Sequence, residues 1–186
     1  MARANFRPIK IPEKVEVKVE NKIVVKGPLG TLNIPIFDDF NVVVRDREIY
    51  IEKRKEKYNK AMLGLLKALI NNATHGVTRG FEKTLLLWGI GYRIEEINKG
   101  VKFFIGYSHP VDFILPEGIK AVIEKPPRGS DKNLISIIKI SGIDKQLVGE
   151  TAARMRKIRL PDSYKGKGIR YVDEKIKLKP GKGSVA

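Results

Sequence analysis

The sequence predicts an α+β fold of two tandem-duplicated small domains, each a mostly antiparallel sheet with one packed helix, plus a basic C-terminal extension. Strand patterns are followed by a helical pattern twice along the 186 residues. The two cycles also end alike, because each helix follows an Ile-x-Ile strand and carries a glycine four residues after a lysine. We therefore expect a first domain with an N-terminal arm over 1–80, a second domain over 81–160 and the extension over 161–186.

Short strands dominate the first cycle. Valines alternate with charged residues over 15–20, which predicts a half-buried strand. The next strand ends at a glycine-proline turn over 27–30, and Pro35 predicts an edge position for the strand that follows this turn. Two more strands form a predicted hairpin about residues 46–47. These elements indicate one small sheet system ahead of the first helix.

A helix closes each cycle. In the first, apolar residues recur at helical spacing over 61–73, with Asn59 as a candidate N-cap and Gly76 as a C-terminal stop. Gly64 and Gly149 lie inside the two helices, where glycine costs about 1 kcal/mol relative to alanine. Two such glycines at equivalent places predict close packing of each helix against its sheet.

The second cycle begins with a strongly apolar strand over 84–88. The glycines at 89 and 91 that follow it are expected to make the strand flexible or to form a bulge. A helix is predicted to begin after Asp144, and its last turns are basic, which suits the helix dipole. A loop is expected over 126–133, and its tip over 128–130 either contacts a neighbouring molecule or, as we favour, lies in solvent. The remaining strand patterns of this cycle lie at 101–107, 111–115, 119–123 and 134–140.

The composition points to a polyanionic partner. The formal net charge is +16 at pH 7, and a surplus of this size favours nucleic acid or an anionic membrane surface. No cysteine is present, which excludes disulfides, zinc–thiolate sites and thiol nucleophiles. The sequence contains neither an apolar run of membrane-spanning length nor a signal-peptide pattern near its start. We therefore expect a protein that stays in the compartment where it is made.

Catalytic and cofactor motifs are weak. The two histidines, His75 and His109, lie at a predicted helix end and in a predicted turn, and neither has partners at metal-ligand spacing. The glycines over 89–91 lack the third glycine and the following helix of a dinucleotide site. The Gly-Lys-Gly sequence over 166–168 lacks the hydroxyl residue of a phosphate loop. We therefore predict no enzyme, no cofactor, no metal and no small-molecule substrate.

The basic surplus is concentrated at the C-terminal end. From Arg154 onwards the chain has eleven Lys or Arg residues against three acidic ones. Within 164–171, tyrosines, cations and glycines are interleaved, so phosphate contacts, close backbone approach and base stacking can occur together. A solvated tail or an import signal is the simpler interpretation, but a tail that only adds solubility has no need of tyrosine. A second basic-aromatic group, on two sides of a predicted hairpin, also favours binding: Trp88, Tyr92, Arg93, Tyr107 and His109.

Several motifs are similar to those of a known family. They lie at 8–12, 25–30, 89–93, 106–110, 144–149 and 161–171, and together they span nearly the whole chain. On these residues the chain resembles the large ribosomal subunit protein six family in its bacterial type. At Asp162 and Ser163 it departs from that family, in which Glu and Pro are expected.

The resemblance implies two duplicated α+β domains and a non-catalytic protein that binds large-subunit rRNA, mostly through the second domain and the extension. It also implies a place near the sarcin–ricin loop and the base of the factor-recruiting stalk. Neighbouring ribosomal proteins at the stalk base, and transient proximity to translational GTPases, follow from that place. We therefore expect a cytoplasmic ribosomal protein without a membrane partner, from a bacterial or an organelle-encoded ribosome.

The candidate RNA contacts combine cations of the second domain with the interleaved segment. They are Arg93, His109, Arg154, Arg156, Lys157, Arg159, Tyr164, Lys165, Gly166, Lys167, Gly168, Arg170 and Tyr171. Two alternatives come from other classes of protein. A general nucleic-acid compactor would use charge alone and bind duplex DNA as well as rRNA. An RNA-modifying enzyme would lose turnover when His109 is changed.

Overall fold

The computed structural model describes residues 7–54 and 58–180. The chain divides into two compact units, Met1–Phe81 with Ile143–Lys145, and Glu82–Gly142 with Gln146–Ala186. The predicted N-terminal arm before residue 7 and the last six residues of the predicted extension lie outside the described residues. The domain boundaries that we expect from the sequence stay a prediction.

Two three-stranded antiparallel sheets form the β part of the first unit. Strands β1 (Ile9–Lys10), β5 (Phe40–Arg45) and β6 (Glu48–Lys53) form one sheet in the order β1-β6-β5. Strands β2 (Glu16–Val19), β3 (Lys22–Gly27) and β4 (Gly30–Pro35) form the other in the order β2-β3-β4. The edge position predicted from Pro35 is therefore confirmed.

The predicted hairpin is also confirmed. Asp46 and Arg47 join β5 to β6 and adopt positive φ angles of 47° and 60°. Two successive left-handed residues give a tight turn whose twist matches that of the flanking strands. Asp tolerates this conformation better than most side chains, which explains why a hairpin without glycine forms here.

Helix α1 packs against strands β3 and β4 of the first unit. It spans Lys60–Thr78, and the Asn59 side chain accepts a hydrogen bond from the Ala61 backbone N–H at 2.9 Å, as an N-cap does. Its fully buried residues Leu66, Ile70 and Val77 join a core that includes Ile23 of β3. Spacings of four and seven residues place these side chains on one stripe of the helix.

The predicted stop at Gly76 is wrong. The helix continues to Thr78, Arg79 is its C-cap, and the glycine with positive φ is Gly80, at 76°. Val77 lies on the apolar stripe one helical repeat after Ile70, and its complete burial favours an additional turn. Gly76 is itself a buried position within the helix.

The prediction about Gly64 and Gly149 is also wrong. A Cβ built on either glycine would meet no atom within 4 Å, so neither residue permits a close approach of its helix. Gly64 is exposed, since the buried stripe of α1 passes through Leu63 and Leu66 instead. In the first unit the close approach is made by the sheet, because a Cβ on Gly27 would lie 2.6 Å from the Val77 side chain.

The second unit contains the remaining strands and helix of the described residues. Strands β8 (Arg93–Ile97), β9 (Gly100–Phe104) and β10 (Val111–Ile114) form an antiparallel sheet in the order β10-β9-β8. A four-stranded sheet in the order β11-β12-β7-β13 consists of β7 (Phe81–Trp88), β11 (Ile119–Glu124), β12 (Leu134–Gly142) and β13 (Gly168–Tyr171). Helix α2 spans Lys145–Ile158. The architecture confirms the α+β class predicted from the sequence.

The strand pattern over 101–107 is shorter in the structure than predicted. Strand β9 ends at Phe104, and Gly106 has a φ of 78°. A left-handed residue cannot continue an extended strand, so the chain turns away from the sheet at this point. The loop expected over 126–133 does lie between β11 and β12.

Strand β13 is an element that the sequence analysis missed. It pairs antiparallel with β7, with Ile169 opposite Leu87 and Arg170 opposite Leu86. Ile169 and Leu87 are fully buried. Residues 168–171, which the sequence analysis assigned to a basic extension, are therefore a strand of the four-stranded sheet.

A helix of membrane-spanning length and apolarity does not occur between residues 7 and 54 or between residues 58 and 180.

Candidate nucleic-acid interface

All thirteen candidate contacts lie in the second unit. Arg93 begins β8, and His109 lies in the exposed turn before β10. Arg154, Arg156 and Lys157 belong to the last turns of α2. The other eight fall within 159–171, which connects α2 to β13 and includes that strand: Arg159, Tyr164, Lys165, Gly166, Lys167, Gly168, Arg170 and Tyr171.

The pairing of β13 with β7 places Arg170 beside Trp88. Gly168 is opposite Trp88 in the register, and alternate residues of a strand share a face, so Arg170 and Trp88 lie diagonally on the same face of the sheet. The guanidinium carbon of Arg170 is 3.8 Å from the centroid of the Trp88 ring. A cation–π contact at this distance fixes the position of the guanidinium and contributes about 0.5 to 1 kcal/mol at an exposed site.

Two further cations lie over tyrosine rings. The Arg159 guanidinium is 4.9 Å from the centroid of the Tyr107 ring, and the Lys167 ammonium is 6.0 Å from that of Tyr92. Hydrogen bonding to Tyr107 raises the pKa of Arg159, and Tyr92 acts in the same direction. The C-terminal cations thus meet the aromatic residues of the second basic-aromatic group identified in the sequence.

Hydrogen bonds to the main chain hold these pairs in place. The Tyr107 hydroxyl donates to the Ile158 carbonyl at 2.8 Å, and the Lys167 ammonium donates to the Ile90 carbonyl at 3.3 Å. The Ile169 N–H donates to the Arg159 carbonyl at 2.8 Å, which anchors the segment at both ends. The cations are therefore organised before any ligand is present. We call Arg159, Lys167, Arg170 and their three rings the cation–aromatic cluster.

Tyr164 differs from the rings of this cluster. Its side chain is 58% exposed, and within the described ranges no cation lies over its ring. Trp88, Tyr92 and Tyr107 each have one ring face covered by a cation of the protein itself. Tyr164 is therefore the aromatic residue of the segment most open to stacking by a base or a ribose.

The turn that carries Tyr164 is built around Asp162. The Asp162 carboxylate accepts hydrogen bonds from the backbone N–H of Tyr164 at 3.2 Å and of Lys165 at 2.7 Å. The Gly166 N–H donates to the Asp162 carbonyl, and the Asp162 N–H donates to the Lys167 carbonyl, both at 2.9 Å. An Asp side chain that accepts from following N–H groups is a common turn former. Asp162, which stands where the family is expected to have Glu, therefore orders this turn through its own side chain.

Both glycines of this segment are buried. A Cβ on Gly168 would lie 2.7 Å from the Leu160 carbonyl oxygen, and Gly166 has a φ of 68°. The two glycines thus allow the chain to fold back on itself before β13 begins. The structure gives them this local role, and their contact with RNA stays a prediction.

Arg156 is engaged inside the protein. Its Nε donates to Glu174 Oε2 at 2.8 Å, and its terminal nitrogen donates to Oε1 of the same carboxylate. This pairing lowers the pKa of Glu174 and raises that of Arg156. The Tyr171 N–H donates to the same carboxylate at 3.2 Å. Arg156 is therefore engaged in a half-buried ion pair, whereas the ion pair of Arg93 with Glu95 is exposed.

The other candidates are spread around this cluster. Arg93 pairs with Glu95 at 2.9 Å and lies 4.2 Å from the centroid of the Phe104 ring. Arg154 is exposed and lies 5.5 Å from the centroid of the Phe113 ring. Of the remaining four candidates, Lys157, Lys165 and His109 are exposed. The fourth, Tyr171, has the Arg156 guanidinium 6.0 Å from its ring centroid.

No group of three His, Asp or Glu side chains among the described residues is arranged to hold a metal ion. Besides β13, sequence reasoning missed the partnership of Arg156 with Glu174. Glu174 follows shortly after β13, and this four-residue strand leaves almost no alternation to detect in the sequence.

Comparisons with known proteins identify the family. The family model for ribosomal protein L6 matches residues 11–80 and 88–172 of this chain. The chain belongs to the ribosomal protein L6 family. Among curated relatives, the large ribosomal subunit protein uL6 of Thermodesulfovibrio yellowstonii is 45% identical over 184 residues, which cover 98% of each chain. The protein of the same name from Maridesulfovibrio salexigens is 42% identical over 184 residues, again 98% of each chain.

A third relative extends the range of organisms. The large ribosomal subunit protein uL6 of Caldicellulosiruptor bescii is 45% identical over 184 residues, 98% of this chain and 96% of the relative. As a member of the L6 family, the chain is a structural constituent of the large ribosomal subunit and not an enzyme. The resemblance inferred from the sequence motifs is thereby confirmed.

Proposed function

We propose that this protein binds large-subunit rRNA through the cation–aromatic cluster and the turn of Tyr164. The observation that carries the proposal is the set of three cations, Arg159, Lys167 and Arg170, held over aromatic rings. Cations fixed in advance lose little side-chain entropy when they contact phosphate. The formal charge of +16 supplies the long-range attraction to a polyanion.

The cluster suits RNA that is already folded. Because the ring faces of the cluster are partly covered by its own cations, the cluster is better suited to contact phosphate than to stack on bases. Tyr164 adds one exposed ring for stacking. Recognition of folded RNA relies mostly on shape and backbone contacts. Arg93, Arg154 and Lys157 are exposed on neighbouring elements and extend the basic surface around the cluster.

The binding place that we propose lies near the sarcin–ricin loop and the base of the factor-recruiting stalk. There the protein supports the region where translational GTPases act, beside neighbouring ribosomal proteins, in the cytoplasm or in an organelle. Membership of the L6 family supports this place, and so does the match of the second unit, up to residue 172, to that family.

Charge-neutralising substitutions test the proposal. Arg159→Gln, Lys167→Gln and Arg170→Gln together should weaken binding to an in vitro transcript of a bacterial large-subunit rRNA. The slope of log affinity against log salt should fall by roughly two to three, since each phosphate contact contributes roughly 0.7 to 0.9. The matched control changes three exposed lysines of the first unit, Lys10, Lys22 and Lys53, to Gln.

Filter binding across a range of salt concentrations, with thermal unfolding of each variant, provides the measurement. Equal losses in the two triple variants would show that only net charge matters. Competition by duplex DNA as effective as competition by rRNA would favour the compactor over the ribosomal role. A deletion of 161–186 is a poor test, because it also removes β13 from the sheet.

Directed cleavage tests the place on the rRNA. The chain has no cysteine, so Ser108→Cys introduces a single thiol at an exposed position next to His109. An iron chelate tethered there generates hydroxyl radicals that cut nearby rRNA in reconstituted large subunits. Cuts at the sarcin–ricin loop and the stalk base are expected, and cuts confined to other regions would contradict the proposed place.

A further inference from the structure

A groove of about 600 Å³ lies beside the first half of β11 in the second unit. Its walls are the turn between β8 and β9, the loop that precedes β11, and β11 itself. Apolar side chains supply part of the lining: Ile97, Leu115, Pro116, Ile119 and Val122. Val122 is 49% exposed, so this lining is open to a ligand.

The edge of β11 has main-chain groups that face away from its partner strand. β11 is the edge strand of the order β11-β12-β7-β13. The Ile119 N–H donates to the Pro116 carbonyl at 3.2 Å, and the Ile123 N–H donates to the Glu96 carboxylate at 3.4 Å. Both N–H groups therefore point away from β12. Because the direction of these groups alternates along an antiparallel strand, the N–H and C=O of Ala121 point the same way.

The free part of this edge is short and centred on Ala121. Pro116 and Glu96 already occupy the N–H groups on either side of it, at 119 and 123. A strand that paired here would exchange two hydrogen bonds with Ala121, and its N–H groups two residues away would donate to the carbonyls of Ile119 and Ile123. An exposed sheet edge of this kind is a template for an added strand.

The charges around the groove cancel. Glu96 and Glu117 line it together with Lys99 and Lys120, whereas the whole chain carries a formal charge of +16. This surface therefore lacks the excess of cations by which proteins bind phosphate. A nucleic acid also offers no row of alternating N–H and C=O groups to a sheet edge. An extended peptide segment without net charge matches both the charge and the main-chain groups.

We propose that the edge of β11 binds an extended segment of a neighbouring protein of the large ribosomal subunit, which adds a fifth strand to the four-stranded sheet. The segment pairs with the main chain at Ala121 and places apolar side chains against Leu115 and Val122. Membership of the L6 family makes this chain a constituent of the large subunit, where such neighbours are present. The inference rests on that membership and not on the rRNA contacts proposed above, and it names the surface that meets a neighbouring protein.

A crosslinker on the wall of the groove identifies the occupant. The chain has no cysteine, so Asn98→Cys adds a single thiol at an exposed position that lines the groove. A benzophenone attached to this thiol is activated by light in reconstituted large subunits. We expect a product with one ribosomal protein, in which mass spectrometry locates the crosslinked segment. A product with rRNA alone, a product with a second copy of this chain alone, or the absence of any product would overturn the inference.

Ala121→Pro blocks the edge without removing a bond to β12. Proline lacks the N–H at 121, and edge strands tolerate it where that group faces away from the ladder. The yield of the Asn98→Cys crosslink should fall roughly fivefold, about the change that one lost hydrogen bond makes in a binding constant. Ala121→Val keeps the N–H and is the matched control. An unchanged yield in folded Ala121→Pro subunits would show that the edge is not used for strand pairing.

Val122→Lys tests the groove even if Ala121→Pro does not fold. Val122 is exposed, so a lysine there leaves the core intact while it places a charge on the apolar wall. The yield of the Asn98→Cys crosslink should fall here too, and an unchanged yield would contradict the docking of an apolar segment.

Ser108→Cys with the same benzophenone separates this inference from the proposed function. Ser108 is exposed and lies next to the candidate RNA contact His109, so its crosslink should reach rRNA. If Ser108→Cys reaches rRNA and Asn98→Cys reaches no protein, only the inference about β11 is wrong. If Asn98→Cys reaches a protein and Ser108→Cys does not reach rRNA, the inference stands and the proposed rRNA contact is wrong.

Discussion

At the scale of single residues, Trp88 determines where the Arg170 guanidinium lies. With the ring removed, Arg170 keeps its charge but loses the contact at 3.8 Å. We expect Trp88→Leu to weaken rRNA binding roughly two- to fivefold, which corresponds to about 0.5 to 1 kcal/mol for an exposed cation–π pair. The salt slope should stay unchanged, because Arg170 keeps the charge through which we propose that it contacts phosphate. Binding titrations at several salt concentrations provide the measurement.

Trp88→Phe is the matched control for this effect. It keeps a ring beneath the guanidinium and should retain most of the affinity. A Phe variant as weak as the Leu variant would show that Trp88 contributes something other than support for Arg170.

Glu174 gives the protein a pH-dependent stability. Its pKa is lowered, chiefly by the hydrogen bond with Arg156. A carboxyl group with a lower pKa in the folded state stabilises that state above its unfolded pKa, about 4.3, and the effect is lost as the pH falls through the folded pKa. We expect Glu174→Gln to lower the free energy of unfolding at neutral pH by roughly 1 to 3 kcal/mol.

Urea titrations at neutral and acidic pH measure this effect. The difference between wild type and Glu174→Gln should be constant above the unfolded pKa and should shrink as the carboxyl group of the folded protein becomes protonated. Glu20→Gln, an exposed substitution, is the control. A difference of equal size at every pH would show that the ion pair is not its source.

At the scale of secondary structure elements, the sequence predicted those strands and helices whose periodic pattern extends over enough residues to be recognised. The valines over 15–20 alternate because β2 has one half-buried face, and the apolar stripe of α1 recurs over five turns. Strand β13 escaped detection because Gly168–Tyr171 has only four residues, of which Ile169 alone is apolar and fully buried. Its pairing with β7 depends on tertiary contacts that no local pattern encodes.

Replacing the glycines inside the helices by alanine should stabilise the protein. A Cβ on Gly64 meets nothing within 4 Å, and the same holds for Gly149. We expect Gly64→Ala to raise the free energy of unfolding by about 1 kcal/mol, the difference between glycine and alanine in a helix interior. Chemical denaturation provides the measurement, and Gly149→Ala should act alike. A loss of stability would show that these positions pack against something that the structure does not contain.

Gly168 should respond in the opposite way. A Cβ there would lie 2.7 Å from both the Leu160 carbonyl oxygen and the Pro161 nitrogen, and backbone atoms cannot move aside cheaply. We expect Gly168→Ala to lower the free energy of unfolding by about 1 to 3 kcal/mol, the usual range for overpacking. Gly118→Ala is the control, since Gly118 also has a positive φ but open space around it. Equal losses at the two positions would attribute the effect to backbone strain alone.

At the scale of the whole molecule, the sequence indicated which residue types are suited to RNA contact, but it did not predict which of them meet in the structure. The charge and the interleaved tyrosines indicated nucleic acid, and the motifs indicated the ribosomal protein family. The contacts of Arg170 with Trp88 and of Arg156 with Glu174 are consequences of strand register and of chain reversal after α2. Interactions of this kind depend on residues far apart in the sequence, so a single sequence cannot specify them.

Two truncations of the chain distinguish an integral strand from an extension. The fragment 1–174 keeps β13 and the Arg156–Glu174 pair but lacks the basic residues that follow Glu174, whereas the fragment 1–167 lacks β13 as well. Complete burial of an Ile side chain contributes about 1.5 to 3 kcal/mol, and the loss of Ile169 also exposes its neighbour Leu87. We therefore expect 1–174 to unfold within about 4 °C of the full chain, a shift that corresponds to roughly 1 kcal/mol, and to bind rRNA more weakly. The fragment 1–167 should unfold at a clearly lower temperature, and equal melting of the two fragments would show that β13 is not needed by the sheet.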